Sequence, residues 1–365
     1  MTDLATVPDA VDVVRTPAEA AAAPRPPLLV TDTLAAYLDG LGVPAGELAW
    51  RRIGDGQANI TYEIRRGGDR LVLRRGPRPP YPPSAHDMPR EARFLAAVGA
   101  AGVPVPRVRA VCEDDAVLGV PFYLMDHVDG VVLTDALPHG FDGADAGRAV
   151  AHAAVDALAN LHAVPLEGEI AALGRPAGYL ERQVRRFAQL WPLNTRRDLP
   201  LVVRVGERLE ATRPVQARAS IVHGDYRLGN LMYAAPDRIA AILDWEMAAL
   251  GDPLADLGYL LATWSEDGIP ATVMDLTPVT AGPGFPSREA LAERYAARTG
   301  ADLAGLAWYE ALALWKSAIF CEAMYTRWLD GQRPGDAFAP RLAEGVPALA
   351  AAADAALARL EKGTR

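Results

Sequence analysis

The sequence predicts an α+β chain in which a small antiparallel sheet with one main helix precedes a larger, mostly helical lobe. Three observations carry this. Five short strand-like runs lie before residue 127, interrupted by one amphipathic helical stretch. Beyond His127 the apolar residues recur at helical spacing over most of the chain. Between the two patterns, Met125–Gly130 reads as a short crossover.

The elements follow in order. Residues 1–29 are rich in Ala and Pro and carry Asp3, Asp9, Asp12 and Glu19. They have neither the basic start nor the uninterrupted apolar run of a signal peptide, and composition places them in a disordered leader. Thr31–Gly40 reads as a helix with Leu34, Tyr37 and Leu38 on one stripe and Thr31 or Asp32 available as cap. Strands are expected at Leu48–Ile53, Asn59–Arg65 and Arg70–Arg74, the last two joined by the turn Gly67-Gly68-Asp69. After a Pro-rich loop, Met88–Ala100 has helical spacing at Phe94, Leu95 and Val98, and strands return at Val105–Val111 and Pro121–Met125. Residues 30–126 then form the small lobe and 127–365 the large one. In the latter, helices are expected at Ala146–His162, Gly178–Trp191, Leu199–Thr212, Leu254–Trp264, Ser287–Thr299, Leu303–Leu329 and Pro340–Leu360.

Bulk properties exclude several classes. A net charge of −9 argues against a general binder of nucleic acid or of anionic membranes. No apolar stretch of spanning length occurs. Two cysteines, Cys112 and Cys321, are too few for a disulfide framework or a zinc site and suit the reducing cytoplasm, where the chain is expected to reside.

The chemistry is concentrated between Ile221 and Asp256. Asp225 is followed five residues later by Asn230 and then by Asp244, which ends the apolar run Ile239–Leu243. In phosphoryl transfer an Asp orients the attacking hydroxyl, while an Asn and a second Asp hold Mg2+ against the nucleotide phosphates. Taken singly, H-G-D is also a turn and D-W-E a strand ending on a capping Asp. The ordered set, with strand-like residues on both sides, favours the site.

The wording H-G-D-x-x-x-x-N followed by D-W-E resembles the aminoglycoside phosphotransferase (choline-kinase-like) branch of the protein-kinase-like superfamily. That resemblance implies a two-lobed kinase-like fold with an antiparallel-sheet N-lobe that binds nucleotide and a C-lobe that carries catalysis. It implies ATP or GTP and Mg2+ as cofactors, Asp225 as the catalytic residue, and Asn230 and Asp244 as metal ligands. His223 then shapes the loop. Gly251-Asp252-Pro253-Leu254-Ala255-Asp256 resembles a further segment of the branch, in which Asp252 caps a helix and Asp256 holds the loop.

In the small lobe, Gly54 and Gly56 lie where such a fold places its phosphate-covering loop, although a plain hairpin turn also explains them and the full G-x-G-x-x-G is absent. Val72 and Arg74 share one face of their strand, as in V-A-I-K, with Arg in place of the usual Lys and Arg75 as the competitor on the other face. Glu91 resembles the helix carboxylate that pairs with that cation, and it is also well placed in a first turn. Backbone groups of Asp126 to Val128 would bind the adenine edge.

The acceptor is a small-molecule hydroxyl that the family does not specify. Gly178–Arg218 holds nine Arg against four acidic residues, and Arg182, Arg185 and Arg186 lie together on one face of an amphipathic helix. Tyr179–Phe187, with Lys316 and Arg327 on a later helix, is similar to the phosphotransferase-like domains associated with acyl-CoA dehydrogenases. An Arg-rich face argues for an anionic or acyl-CoA-like substrate over a polycation; a solvated helix face is the alternative. An aminoglycoside kinase proper, and a nucleotide-binding pseudokinase or scaffold suggested by Arg74, are the rival functions.

Overall fold

The computed structural model describes residues 12–54, 59–81, 86–141, 143, 145–332 and 335–363. The chain divides into two compact units, Met1–Asp129 and Gly130–Arg365.

In the first unit, β1 (Val13–Val14) pairs in parallel with β2 (Leu29–Val30), and α1 (Pro17–Ala22) lies between them. Thr16 and Glu19 cap α1 reciprocally: Glu19 N–H donates to Thr16 Oγ1 at 3.2 Å and Thr16 N–H to Glu19 Oε2 at 3.0 Å. This corrects the disordered leader for residues 12–29; residues 1–11 lie outside the described residues. Composition misses the order because tertiary burial supplies it. Leu28 and Leu29 are buried in the core of the unit, and Asp12 pairs with Arg25 and Arg78.

The helix α2 (Thr31–Gly40) has the predicted span and buries Leu34 and Leu38. Neither Thr31 nor Asp32 caps it. Val30 occupies the capping position, and Thr33 donates its hydroxyl to the carbonyls of Val30 and Val117. Strands β3 (Ala49–Ile53), β4 (Ile60–Arg66) and β5 (Asp69–Arg75) follow. Gly67 and Gly68 turn the β4–β5 hairpin with φ of 57° and 94°, which glycine alone adopts without strain. The helix α3 (Met88–Ala100), strand β6 (Val108–Cys112), short helix α4 (Asp115–Leu118) and strand β7 (Phe122–Asp126) complete an antiparallel sheet in the order β3-β4-β5-β7-β6.

Alternation along β5 decides what faces what. Leu71, Leu73 and Arg75 point to the side of the sheet that carries the Leu28–Leu38 core, whereas Val72 and Arg74 point to the other.

The second unit opens with β8 (Val131–Val132), α5 (Ala146–Ala163), α6 (Gly168–Ala172), α7 (Tyr179–Asn194) and α8 (Pro200–Ala211). Four short strands come next: β9 (Ser220–Val222), β10 (Leu231–Ala235), β11 (Arg238–Ile242) and β12 (Ala249–Gly251). They pair as β11-β10-β8 and as β12-β9. The chain ends in α9 (Leu254–Ala262), α10 (Arg288–Thr299), α11 (Leu306–Leu329) and α12 (Leu342–Gly363).

The helix α11 is apolar on nearly every side and forms the centre of the unit, as an all-round hydrophobic helix must. Trp308 and Trp315 are wholly buried, and their indole N–H groups donate to Leu209 O and Val202 O of α8 at 3.0 and 2.8 Å. Those bonds orient α8 against α11 in addition to the apolar contact.

Candidate active site

The residues of the 223–230 loop are placed by backbone first. Gly224 has φ of 86°, and a Cβ there would stand 2.6 Å from the Met247 carbonyl oxygen, so no other residue fits. His223 is fully buried. Its Nε2–H donates to Leu243 O at 2.8 Å, which leaves Nδ1 to accept the Asp225 N–H at 3.3 Å. His223 thus bonds to the chain on both sides of its ring.

Asp256 anchors the same loop. Its Oδ2 accepts the His223 N–H at 2.7 Å and His162 Nε2 at 3.1 Å, and its Oδ1 accepts the Gly224 N–H at 2.8 Å. Burial alone pushes the Asp256 carboxyl up. The His162 hydrogen bond and the Gly224 N–H are among the contacts that outweigh it, and the group titrates below its ordinary value of 3.8. Tyr295 in turn donates to His162 Nδ1 at 2.6 Å.

Asp252 caps α9 through Leu254 N–H at 3.0 Å and accepts the Tyr309 hydroxyl at 2.8 Å. Burial raises its pKa against those two bonds. The sequence could not place His162, Tyr295 and Tyr309, because each lies on a distant helix; the one local signal was a His ending an apolar stripe on an Ala-rich helix.

Asp225 projects from this frame. Asn230 Nδ2 donates to Asp225 O at 2.8 Å and to Asp225 Oδ2 at 2.7 Å, which holds the carboxylate in one orientation. Its Oδ1 is buried and accepts no hydrogen bond among the described residues; Arg227 Nε stands 3.5 Å away, and the Tyr259 hydroxyl faces the carboxylate. Tyr259, one turn after Asp256 on α9, is held well above the usual phenol range by burial and by the Asp225 charge. Sequence reasoning missed it, although its spacing from Asp256 puts both on one helix face.

Asn230 and Asp244 flank the β10–β11 hairpin at the same end. Leu231 pairs with Ile242, and the Leu243 N–H donates to Asn230 O at 2.8 Å. Asp244 has φ of 65°, a left-handed conformation that costs a non-glycine residue roughly 1–3 kcal/mol and is found mostly at functional positions. With its Nδ2 committed to Asp225, Asn230 keeps an amide oxygen, and Asp244 at the other end of the hairpin carries a carboxylate. These are hard oxygen donors of the kind Mg2+ takes, so the residues fit the implied ion.

In the first unit, Arg74 Nε lies 3.0 Å from Glu91 Oε1, and the Tyr123 hydroxyl donates to the same oxygen at 3.1 Å. Arg74 is 13% and Glu91 2% exposed. Glu91 is delivered by α3, whose start is set by Asp87 accepting the Arg90 N–H at 2.9 Å. Arg75 faces the opposite core, donating to Leu28 O, Leu118 O and Gly76 O, and burial lowers its pKa to about 10. Val72 is buried on the Arg74 face.

Gly54 has φ of 74°, whereas Gly56 lies outside the described residues. The Asp126 N–H donates to Arg107 O at 2.9 Å and that of His127 to Arg70 O at 3.3 Å, and Val128 is partly exposed.

The Arg-rich face behaves unevenly. Arg182 folds back on its own approach loop, donating to Ala177 O and Arg175 O, so it is not a free cation. Arg197 locks onto buried Glu322 and the Tyr325 ring, and Arg208 onto Asp354 and Glu361. Arg185 and Arg186 are exposed.

Five antiparallel strands with one main helix, followed by a larger helical part carrying the 223–244 constellation, make this a protein-kinase-like fold of the small-molecule phosphotransferase class. The chain belongs to the phosphotransferase enzyme family (APH), whose profile matches residues 49–312. A crystal structure from Ralstonia eutropha JMP134, provisionally assigned as an aminoglycoside phosphotransferase, superposes with a TM-score of 0.74 at 28% identity, covering 90% of this chain and 98% of that one. A thermostable mutant of aminoglycoside phosphotransferase APH(4)-Ia, crystallised with AMP-PNP and hygromycin B, shares the fold at a TM-score of 0.58 and 18% identity over 89% of this chain and 97% of its own.

Acyl-CoA dehydrogenase family member 10 of Mus musculus is 33% identical over 312 residues, 82% of this chain and 29% of that protein. Acyl-CoA dehydrogenase family member 11 of Gallus gallus is 36% identical over 220 residues, 59% of this chain and 28% of that protein. The chain thus spans less than a third of the length of these two relatives. No helix among the described residues is long and apolar enough to cross a membrane.

Proposed function

We propose that this chain is a Mg2+-dependent O-phosphotransferase that moves the terminal phosphoryl group of ATP or GTP to the hydroxyl of a small molecule in the cytoplasm. The observation that carries the reading is the Asp225 carboxylate, clamped at Oδ2 by Asn230 and left at Oδ1 without a hydrogen bond among the described residues. An acceptor hydroxyl supplies the missing donor, and Asp225 aims it in line with the phosphorus. The proton is taken late, as suits a loose transition state and a weak base, so most of the rate comes from positioning.

Asn230 and Asp244 would hold Mg2+, which would supply charge neutralisation on the phosphates. Within the first unit, Arg74, aligned by Glu91, is a phosphate ligand of the nucleotide, Gly54 a backbone position of its phosphate-covering loop, and Val72 with the Val128 N–H the base contacts. The acceptor is anionic or acyl-CoA-like, a reading supported by exposed Arg186 and by the dehydrogenase names of the relatives.

The test is nucleotide binding by calorimetry with and without MgCl2, for wild type and Asp244→Ala, alongside a transfer screen over hydroxylated metabolites that includes kanamycin. Asp244→Ala is expected to lose the Mg2+-dependent part of binding. Unchanged metal dependence in that variant moves the metal site elsewhere. A wild type that neither binds ATP or GTP nor consumes them with any alcohol overturns the reading.

A further inference from the structure

Lys316 sits in the middle of α11 and is 8% exposed. Its Nζ lies 4.9 Å from the centre of the Phe187 ring of α7, and Phe187 meets Phe320 edge-on at 5.1 Å. Phe320 stands one turn after Lys316 and leaves 46% of its surface exposed, although its neighbours Ile319 and Cys321 are buried. Arg186 is exposed on α7 beside Phe187. Exposed Phe320, backed by buried Phe187, therefore stands with two cations, Lys316 and Arg186.

Neither cation makes an ion pair within salt-bridge distance among the described residues. The charges that reach Lys316 are Asp256 on α9, Arg186 on α7 and Asp225 on its loop. Asp256 already accepts three hydrogen bonds, and Asp225 already faces Asn230 and Arg227. A buried ammonium whose only direct partner among the described residues is an aromatic ring is costly, and Lys316 shows it: burial pulls its pKa down to about 8, Asp256 and Asp225 only partly oppose the fall, and Arg186 adds to it. Met or Leu would fill the same space at lower cost. A cost retained without structural return marks a group kept for a ligand.

We propose that Lys316, assisted by Arg186, is the seat for an anionic group of the acceptor, a carboxylate or a phosphate, whose adjoining apolar segment lies on Phe320. This rests on the phosphotransferase reading only for the acceptor's hydroxyl, which Asp225 receives; the anion seat itself needs no chemistry. It makes Lys316 a specificity-determining residue, where the sequence pattern had pointed to Arg182.

The test is binding without nucleotide. Octanoate, octyl phosphate and octanol are titrated by ligand-observed NMR into wild type, Lys316→Met, Lys316→Gln, Lys316→Arg and Arg186→Gln. Wild type is expected to prefer one or both anions over octanol by about tenfold, the equivalent of one charge-assisted hydrogen bond. The preferred anion identifies the group. Lys316→Met and Lys316→Gln should lose the preference while still binding octanol, Lys316→Arg should keep part of it, and Arg186→Gln should weaken it less.

Because a buried charge is removed, Lys316→Met should melt no lower than wild type. Octanol bound as tightly as both anions by wild type, or a preference that survives Lys316→Met, overturns the proposal. Loss of octanol binding together with a lowered Tm assigns Lys316 a structural role and also overturns it. An inactive enzyme that still shows the anion preference sinks the phosphotransferase reading alone, and transfer without any anion preference sinks this proposal alone.

Discussion

Glu91 in the first unit and Asp256 in the second are both carboxylates buried on helices, and the difference between their partners is instructive. Asp256 accepts two backbone N–H groups of the 223–224 turn as well as His162, so it fixes a piece of main chain. Glu91 meets the side chains of Arg74 and Tyr123. The first arrangement sets position and tolerates no substitute, since the N–H groups it satisfies cannot move to another partner without unfolding the turn. The second sets the direction of one flexible cation, and another cation can partly replace it.

The largest expected effect lies at the residue that the backbone-built frame presents. Asp225→Asn should lower transfer by roughly 10²–10⁴-fold while nucleotide binding persists, since a positioned acid–base group contributes on that scale. Single-turnover rates and nucleotide titration on the same sample measure both. Activity above about a tenth of wild type removes Asp225 from the role.

Asp256→Ala tests whether the second unit's carboxylate is structural. It leaves two backbone donors and a buried His without their acceptor, and about 3–5 kcal/mol of stability should be lost in chemical denaturation. The pH dependence follows from the depressed pKa. The Asp256 contribution is present above the ordinary value of 3.8 and lost as pH falls through the lower folded value, so wild type should lose its advantage over the variant in that acid range. Equal slopes for the two proteins there would place the acid sensitivity in other groups.

Arg74→Ala should weaken nucleotide binding by about tenfold, the range of one charged hydrogen bond, with Arg74→Lys recovering part of it. Full loss in Arg74→Lys would make the pair as unforgiving as the Asp256 frame and erase the contrast drawn above. The smallest effect is at Tyr259. Removing its hydroxyl in Tyr259→Phe deletes one neutral partner of Asp225, worth about 1 kcal/mol, and kcat should fall roughly fivefold with the affinity for nucleotide unchanged.

Legibility differed between site and scaffold. The spans of α2 and α3 were readable because each is an amphipathic run bounded by turn residues, whereas the Arg74–Glu91 pair came from the family resemblance, strand alternation giving only the face of Arg74. The cap of α2 was not readable, since Thr33 bonds to a carbonyl far along the chain instead of Thr31 or Asp32 bonding nearby. Arg182 misled for a related reason: helix periodicity puts it beside Arg185 and Arg186, but its guanidinium satisfies carbonyls of the preceding loop. Ordered residues 12–29 were hidden by an Ala- and Pro-rich composition that burial of Leu28 and Leu29 overrides.

By itself the sequence determined the main strands and helices, the two-part organisation and the spacing that singles out Asp225, Asn230 and Asp244, because apolar periodicity and fixed spacing within one loop and one hairpin are local quantities. Tertiary structure alone decided that His162 and Tyr295 complete the Asp256 frame, that Tyr259 faces Asp225, and that Lys316 is buried against the Phe187 ring, next to exposed Phe320. Those are contacts between helices remote in sequence. Their partners are chosen by how the helices pack, and no pattern within a single helix records which side chain of another will stand opposite.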